Sequence, residues 1–392
     1  MAKHKTLRLK PKSGRRAKAG APWIFSNEID MTAEAKTWPP GRLVNVAADE
    51  RVLGTGYFNP GSLIGVRLLD PEKDAVIDKA FFARHFRRAL TLRQALFDRP
   101  FYRLVHAEGD GLPGLTVDRF DDVCVAQVTT AGMEGLIPPM LEALEEVLAP
   151  RAVVLRNDAP SRALEGLESY VRAGIGEMPA RISIEENGAR YFADLQGGQK
   201  TGWYYDQREH RAFMASLAKG KSVLDAYCYA GGFAIQAAKA GARETIGIDS
   251  SQGALSLAED AATANKVACS FVKADVLEEL ARLIAETQTF DIVIADPPPF
   301  VKARKDLEAG ARAYRRLARL SASVTAKNGF LFLASCSHNI PMERFADECA
   351  LGIARAGRKA RLIRQGGAGP DHTVHPILPE TAYLKALVYA LD

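Results

Sequence analysis

Cysteine is scarce in this chain of 392 residues: there are five, at Cys124, Cys228, Cys269, Cys336 and Cys349, odd in number and far apart. No Cys-x-x-Cys spacing occurs, so neither a zinc knuckle nor a disulfide framework is supported, and a reducing cytoplasm fits this usage best. No apolar run approaches the roughly 18 to 20 residues that a membrane-spanning helix needs. The basic N-terminus lacks the apolar segment of a secretory signal. Internal repeats and low-complexity tracts are missing, as is the Gly-x-Gly-x-x-Gly that cradles a dinucleotide pyrophosphate. These absences predict a soluble cytoplasmic protein with no membrane segment and no metal centre.

What is present is ordinary in bulk and informative in detail. Hydrophobic residues make up 47% and charged residues 25%, the balance of a globular protein, and the length suggests two or three domains. The net charge is only +5, but its distribution is uneven. Met1 to Gly20 holds eight Lys or Arg residues and no acid. A second cluster, Lys302, Arg304, Lys305, Arg312, Arg315, Arg316 and Arg319, follows a Pro-rich stretch. Single charge runs are commonly solvated faces. Two of them, one beside the suspected reaction site, point to a phosphate backbone, with Arg15, Arg16, Lys302, Arg304 and Lys305 as candidate RNA contacts.

Three regions separate along the chain. Residues 1–72 carry short β-type runs such as Arg42–Val46 and Leu63–Leu69, with Gly and Pro between them, and read as a small β-rich module. Residues 73–185 open with a helical pattern, Asp78 to Leu96, on which Phe82, Phe86 and Leu90 recur at helical spacing. Strands near Leu115–Val117, Val123–Val128 and Ala152–Leu155 and a helix at Leu136–Leu148 make this a small α+β unit. Residues 186–392 alternate strand and helix, the pattern of a doubly wound parallel α/β sheet. Its strand candidates are Ser222–Asp225, Thr245–Ile248, Ser270–Val272, Asp291–Ala295, Phe330–Ala334, Ala360–Ile363 and Tyr383–Ala390.

Open α/β sheets bind ligands beyond the carboxyl ends of their strands, and polar chemistry collects there in this sequence. The first turn reads Asp225-Ala-Tyr227-Cys-Tyr-Ala-Gly231-Gly232, whose glycines permit a tight turn and close approach to a ligand. Asp249 ends the next strand, placed for ribose hydroxyls, and Asp275 ends the third. Together they imply a nucleoside-bearing cofactor, and the missing dinucleotide motif favours S-adenosylmethionine. The fourth strand runs into Asp296-Pro-Pro-Pro-Phe300, where the prolines fix the loop and the carboxylate faces the edge of an extruded base. The fifth ends in Ser335-Cys336-Ser337. Cys124, Cys228, Cys269 and Cys349 lie in or beside regular elements and read as packing residues. Cys336 lies at a strand end beside Asp296 and reads as a nucleophile. His338 reads as a surface loop histidine.

The combination resembles the large-subunit ribosomal RNA methyltransferase I family, whose members make 5-methylcytosine in 23S rRNA. The matching pieces span nearly the whole chain: Trp23–Ser26, Asn59–Ile64, Gly109–Leu115, Gly198–Gly202, Tyr205–Arg208, the glycine turn, Asp296-Pro-Pro, Ser335-Cys-Ser and Tyr383–Lys385. The resemblance implies an N-terminal PUA domain, a small middle domain and a C-terminal Rossmann-like class I methyltransferase domain. It implies Cys336 as nucleophile and S-adenosylmethionine held against Asp225, Gly231, Asp249, Asp275 and Asp296, and Tyr227 and Gly232 of the glycine turn are expected at the cofactor as well. The stretch Gln199–Arg208 is then expected to fold over the cofactor, with Asp206 and Arg208 contributing. The implied partner is 23S rRNA or a large-subunit precursor, and relatives suggest a homodimer. One departure is Pro299, where the family commonly has a lysine. Two other readings stay open from the residues alone. One is methylation of a base nitrogen without a cysteine nucleophile; the other is a non-catalytic RNA-binding assembly factor.

Overall fold

Strand-forming runs dominate the first part of the chain, helix and strand alternate in the second, and the computed structural model, which describes residues 3–195, 197 and 201–392, follows that change. One compact unit holds residues 1–180, 195–203 and 370–381; the other holds 181–194, 204–369 and 382–392.

The first unit is built on two five-stranded sheets. One runs, in spatial order, Lys5–Arg8, Arg42–Ala48, Arg51–Phe58, Val66–Asp70 and Trp23–Ile24, around a core that includes Ile24, Val44, Val46, Phe58 and Val66. The run expected as a strand from Leu63 pairs only from Val66. Asn59–Gly65 is a turn instead, with the Asn59 N–H donating to the Gly65 carbonyl (2.8 Å) and the Gly61 N–H to Asn59 Oδ1 (3.0 Å). That leaves Leu63 82% exposed. The second sheet, Phe101–His106, Leu115–Phe120, Val123–Val128, Ala152–Asn157 and Tyr170–Ile175, packs on the helices Lys79–Leu96 and Ile137–Leu148. Asp78 is the N-cap of the longer helix, its carboxylate accepting from the Phe81 N–H at 3.0 Å.

Two of the motifs quoted above have structural roles in this unit. Asn59, Ser62 and Arg67 donate to the buried Glu165 at 2.8, 2.8 and 3.0 Å. Asp110 pairs in a fork with the fully buried Arg93 at 2.6 and 2.8 Å, so each charge has the partner that burial demands.

The second unit is a seven-stranded sheet preceded by a hairpin, Arg181–Glu186 with Ala189–Asp194. The sheet strands are β1 (Ser222–Ala226), β2 (Glu244–Asp249), β3 (Ser270–Lys273), β4 (Phe290–Ala295), β5 (Thr325–Ser335), β6 (Ala360–Gly366) and β7 (Lys385–Leu391). Their spatial order is 3-2-1-4-5-7-6. β1 to β5 run parallel, whereas β7 is antiparallel to both β5 and β6. The sheet is doubly wound as expected, with β7 as a reversed strand whose direction the sequence did not specify. The chain leaves β6 at Gly366 and comes back at Lys385 with β7 in the opposite sense, and the apolar run of β7 cannot signal direction.

Neighbouring residues on the central strands feed opposite cores, because successive side chains point to opposite faces. Leu224, Val293 and Leu331 meet Leu280, Leu317 and Phe345 on one face. Val223, Ile292 and Phe332 meet Met214, Phe233 and Ala237 on the other. The helices supplying those residues are α1 (Arg208–Ser216), α2 (Gly232–Lys239), α4 (Val276–Ala285), α5 (Leu307–Ser323) and α6 (Met342–Arg355); α3 (Gln252–Asn265) packs on the hairpin. With both faces covered, the carboxyl edge is where polar groups can collect.

Candidate functional site

The turn after β1 is the most strained backbone at that edge. Tyr227 and Tyr229 have φ of +66° and +49°, left-handed values uncommon for side-chain-bearing residues. Gly231, at φ +77°, is the N-cap of α2, and a Cβ there would stand 3.0 Å from Ala258 and Ile235. Asp249 of β2 holds this turn through Oδ2, which accepts from the Tyr229 N–H, while its Oδ1 accepts from the Ser251 N–H just beyond its own strand, each at 2.9 Å. Asp225 is fully buried and accepts from the Ala234 N–H through Oδ2 at 2.9 Å. Its Oδ1 is buried with no hydrogen-bond partner among the described residues. Burial first, then the neighbouring carboxylates of Asp296 and Asp249, push the Asp225 carboxyl up to about 8. Asp275 caps α4 through the Leu277 and Glu278 N–H groups and is exposed, beside Tyr227.

β4 and β5 are paired in parallel, so their ends lie side by side. Cys336 Sγ stands 4.0 Å from the Pro297 carbonyl, which brings the thiol to the Asp296 loop. The flanking serines are tied down from below. The Ser335 hydroxyl donates to the Tyr314 hydroxyl and Ser337 Oγ shares a bond with it, both at 2.8 Å. Ser337 Oγ also accepts from the Val301 N–H at 3.1 Å. Cys336 is half-buried, whereas burial pushes the Cys124 thiol up to about 12 and those of Cys228 and Cys349 well above the usual range. Cys269 is half-buried too, its thiol raised by burial, and it lies just before the start of β3 rather than at the carboxyl edge.

Two side chains join the site that the sequence did not single out. Lys385, the first residue of β7, is buried and donates to the carbonyls of Ser337 (2.7 Å) and Tyr383 (2.9 Å). Burial pushes its ammonium down to about 8, and proximity to Cys336 opposes that shift. Tyr204 packs edge-on against Tyr229, ring centroids 5.3 Å apart, within electrostatic reach of Asp206, Asp296 and Cys336. Only the Tyr383–Lys385 match hinted at Lys385. Tyr204, in a run of aromatics ahead of the sheet, carries no strand-end signal.

The remaining candidates are distributed unevenly. Asp206 is buried and accepts from the Tyr383 hydroxyl at 2.5 Å, and His338, exposed, stacks on that Tyr383 ring. Arg208 lies over Tyr205 and reaches Glu186 at 3.5 Å, towards the hairpin rather than the glycine turn. Gln199 and Lys200 lie outside the described residues. Phe300 packs against Tyr314, centroids 4.8 Å apart. Lys302, Arg304 and Lys305 are exposed beside the Asp296 loop. Arg15 is exposed, and Arg16 forks onto Glu380 (3.0 and 2.9 Å) and donates to the Ile377 carbonyl. Among the described residues no cluster of side chains suited to a metal ion occurs.

Sheet order, glycine turn and strand-end acids define the class: a class I S-adenosylmethionine-dependent methyltransferase. Residues 168–363 match the family described as S-adenosylmethionine-dependent methyltransferase, and residues 7–71 match the PUA-like domain family. The ribosomal RNA large subunit methyltransferase I of Shewanella denitrificans is 37% identical over 389 residues, covering 97% of this chain and 98% of that protein. Its counterpart from Pseudoalteromonas atlantica is 35% identical over 374 residues, 94% of each chain. A SAM-dependent methyltransferase from Streptococcus mutans shares the fold at a TM-score of 0.83 and 21% identity, covering 98% of this chain and all of that one. The chain belongs to the ribosomal RNA large subunit methyltransferase I family.

The residues present suit the cofactor. The orphaned Asp225 Oδ1 is a buried polar atom without a partner among the described residues, Gly231 holds the left-handed turn at φ +77°, and Asp249 lies at the end of β2. S-adenosylmethionine brings a cationic, nitrogen-rich group to such a turn.

Proposed function

We propose that this protein methylates C5 of a cytosine in 23S rRNA through a covalent adduct between Cys336 and C6 of the base. The observation that carries the reading is the pairing of the half-buried Cys336 thiol with the Asp296 loop, Sγ 4.0 Å from the Pro297 carbonyl, while Cys124, Cys228 and Cys349 are buried and Cys269 lies just before the start of β3. Cytosine C5 is a poor nucleophile on its own. Attack of the Cys336 thiolate at C6 places the ring electrons at C5, which becomes nucleophilic. Asp296 bonds N3 and the exocyclic amine and steadies charge developing on the ring. Bound S-adenosylmethionine supplies an electrophilic methyl group for C5. Loss of the C5 proton to water or to Asp296 then returns the electrons, and the thiolate leaves from C6.

Lys385 supports this scheme as a buried cation beside the thiol, favouring the thiolate that must both attack and depart. The substrate reading rests on the family and on the PUA-like match. We assign RNA grip to residues 1–72 and chemistry to residues 186–392, with 73–185 between them, and place the enzyme in the cytoplasm, where large-subunit rRNA is found. The test is bisulfite mapping of 23S rRNA from cells lacking the gene. One cytosine should lose its protection and regain it with the wild-type chain but not with Cys336→Ala. An unchanged map would sink the C5 chemistry and leave base-nitrogen methylation.

A further inference from the structure

Helix α5 has two faces with opposite tasks. Its buried face carries Tyr314, whose hydroxyl holds both serines of Ser335-Cys336-Ser337. Its outer face carries Arg312, Arg315, Arg316 and Arg319, at i, i+3, i+4 and i+7, so all four lie along one stripe. Helix α6 adds a fifth. Gly352 is where the two helices touch: a Cβ there would meet the Arg315 carbonyl at 2.4 Å and Ala318 Cβ at 2.7 Å. This close approach brings Arg355, one turn further on, to the stripe. The five arginines line a single recess of about 150 Å³, walled mainly by their aliphatic stems.

Such an arrangement opposes itself. Arg312 with Arg315 and Arg316, and Arg319 with Arg315 and Arg316, are like-charge pairs at the spacing of helix neighbours, which weakens a helix. The only acid on α5 is Glu308, which pairs with Arg344. Arg315 is held by the buried Glu348 at 2.6 Å. Among the described residues, Arg312, Arg316, Arg319 and Arg355 form no ion pair. An ordinary solvated helix face alternates its charges; this one gathers a single sign around a recess.

We infer that the arginine recess of α5 and α6 is a docking site for the phosphodiester backbone of the RNA substrate. This inference rests on the RNA substrate of the proposed function. Arg316 lies in electrostatic reach of Tyr227 in the cofactor turn, so the recess borders the reaction site. Arginine forks match phosphate oxygens bidentately, and consecutive phosphates supply the array of anions that separate ions would not. Because Tyr314 sits on the same helix, RNA held at the recess is held at a fixed distance from Cys336.

The test compares wild type with Arg312→Gln/Arg316→Gln/Arg319→Gln, both saturated with S-adenosylhomocysteine, binding a fluorescent 23S rRNA fragment that contains the target cytosine. Anisotropy is read across a salt series. The variant should bind about tenfold or more weakly, and the slope of log affinity against log salt should flatten by about 2. Relief of repulsion should leave its melting temperature equal or higher, and S-adenosylhomocysteine affinity within about twofold. The single variants Arg316→Gln and Arg319→Gln, read in the same way, should each flatten the slope by part of that amount, which guards against a folding defect in the triple. Unchanged RNA affinity and slope would overturn the proposal and leave a small anion or an acidic protein as occupant. Methylation of the same fragment by wild type is scored in parallel. Arginine-dependent binding without cytosine methylation would sink the C5 chemistry alone; normal methylation with arginine-independent binding would sink the recess alone.

Discussion

At the scale of single residues, Asp225 is the most consequential titratable group. Its carboxyl is pushed up to about 8, chiefly by burial, so the free protein holds it protonated at neutral pH. A raised carboxyl pKa means the folded state binds the extra proton, and stability from this group falls as pH rises from the unfolded value towards 8. A cationic ligand reverses that preference. S-adenosylmethionine binding should therefore release a proton, and affinity should rise with pH up to about 8 and level off above it, by up to about tenfold per unit of pKa change. Calorimetry in buffers of different ionisation enthalpy measures the proton directly; Asp225→Asn should bind weakly and without it. Lys385 makes the opposite argument. Its ammonium, pushed down to about 8 by burial, is charged below that pH and lost above it. Methylation should decline above about pH 8, and Lys385→Met should slow turnover while leaving S-adenosylhomocysteine affinity unchanged, with Lys385→Arg restoring part of the rate. A pH–rate profile that Lys385→Met leaves unmoved would remove it from the chemistry.

At the scale of elements, α5 joins the outer arginines to the inner tyrosine. Tyr314→Phe removes one hydroxyl serving Ser335, Ser337 and the Phe300 N–H, leaving buried partners unsatisfied. The cost should be about 1–3 kcal/mol in denaturant unfolding, and methylation should fall more than cofactor affinity because the loop carrying Cys336 loosens. Gly231→Ala, at φ +77°, should cost about 1–2 kcal/mol and weaken cofactor binding as well. Much of this level was legible in advance. Buried parallel strands announce themselves as apolar runs, and the acids and Cys336 stand where those runs break, so the sheet and its edge could be read directly. The direction of β7 could not, because pairing sense leaves no mark on an apolar strand. The hairpin at 181–194 escaped for a related reason: Arg181–Glu186 alternates polar and apolar residues too briefly to stand out. Tyr204, Tyr314 and Lys385 reach the site from elsewhere in the sequence by tertiary packing, which no local pattern encodes.

At the scale of the whole molecule, the two units are interleaved along the chain. Residues 370–381 belong to the first unit, where Asp371 accepts from the Arg103 N–H at 3.0 Å and its carbonyl accepts from Arg93 at 2.7 Å, while β7 returns to the second. A chain ended at Gly369 should therefore damage both units, and its circular dichroism and melting should show neither intact. With no disulfide among its five cysteines, the full chain should melt at the same temperature with and without reductant. β7 also sets a timetable. It follows every other strand of its sheet in chain order, yet it lies between β5 and β6 and carries Lys385. A chain still being translated, and not yet emerged past Leu391, has β6 stranded from the sheet and no cation beside its thiol. Groups far apart in the chain are thus joined last, and the Cys336 thiol gains its neighbouring ammonium only once the closing strand has docked.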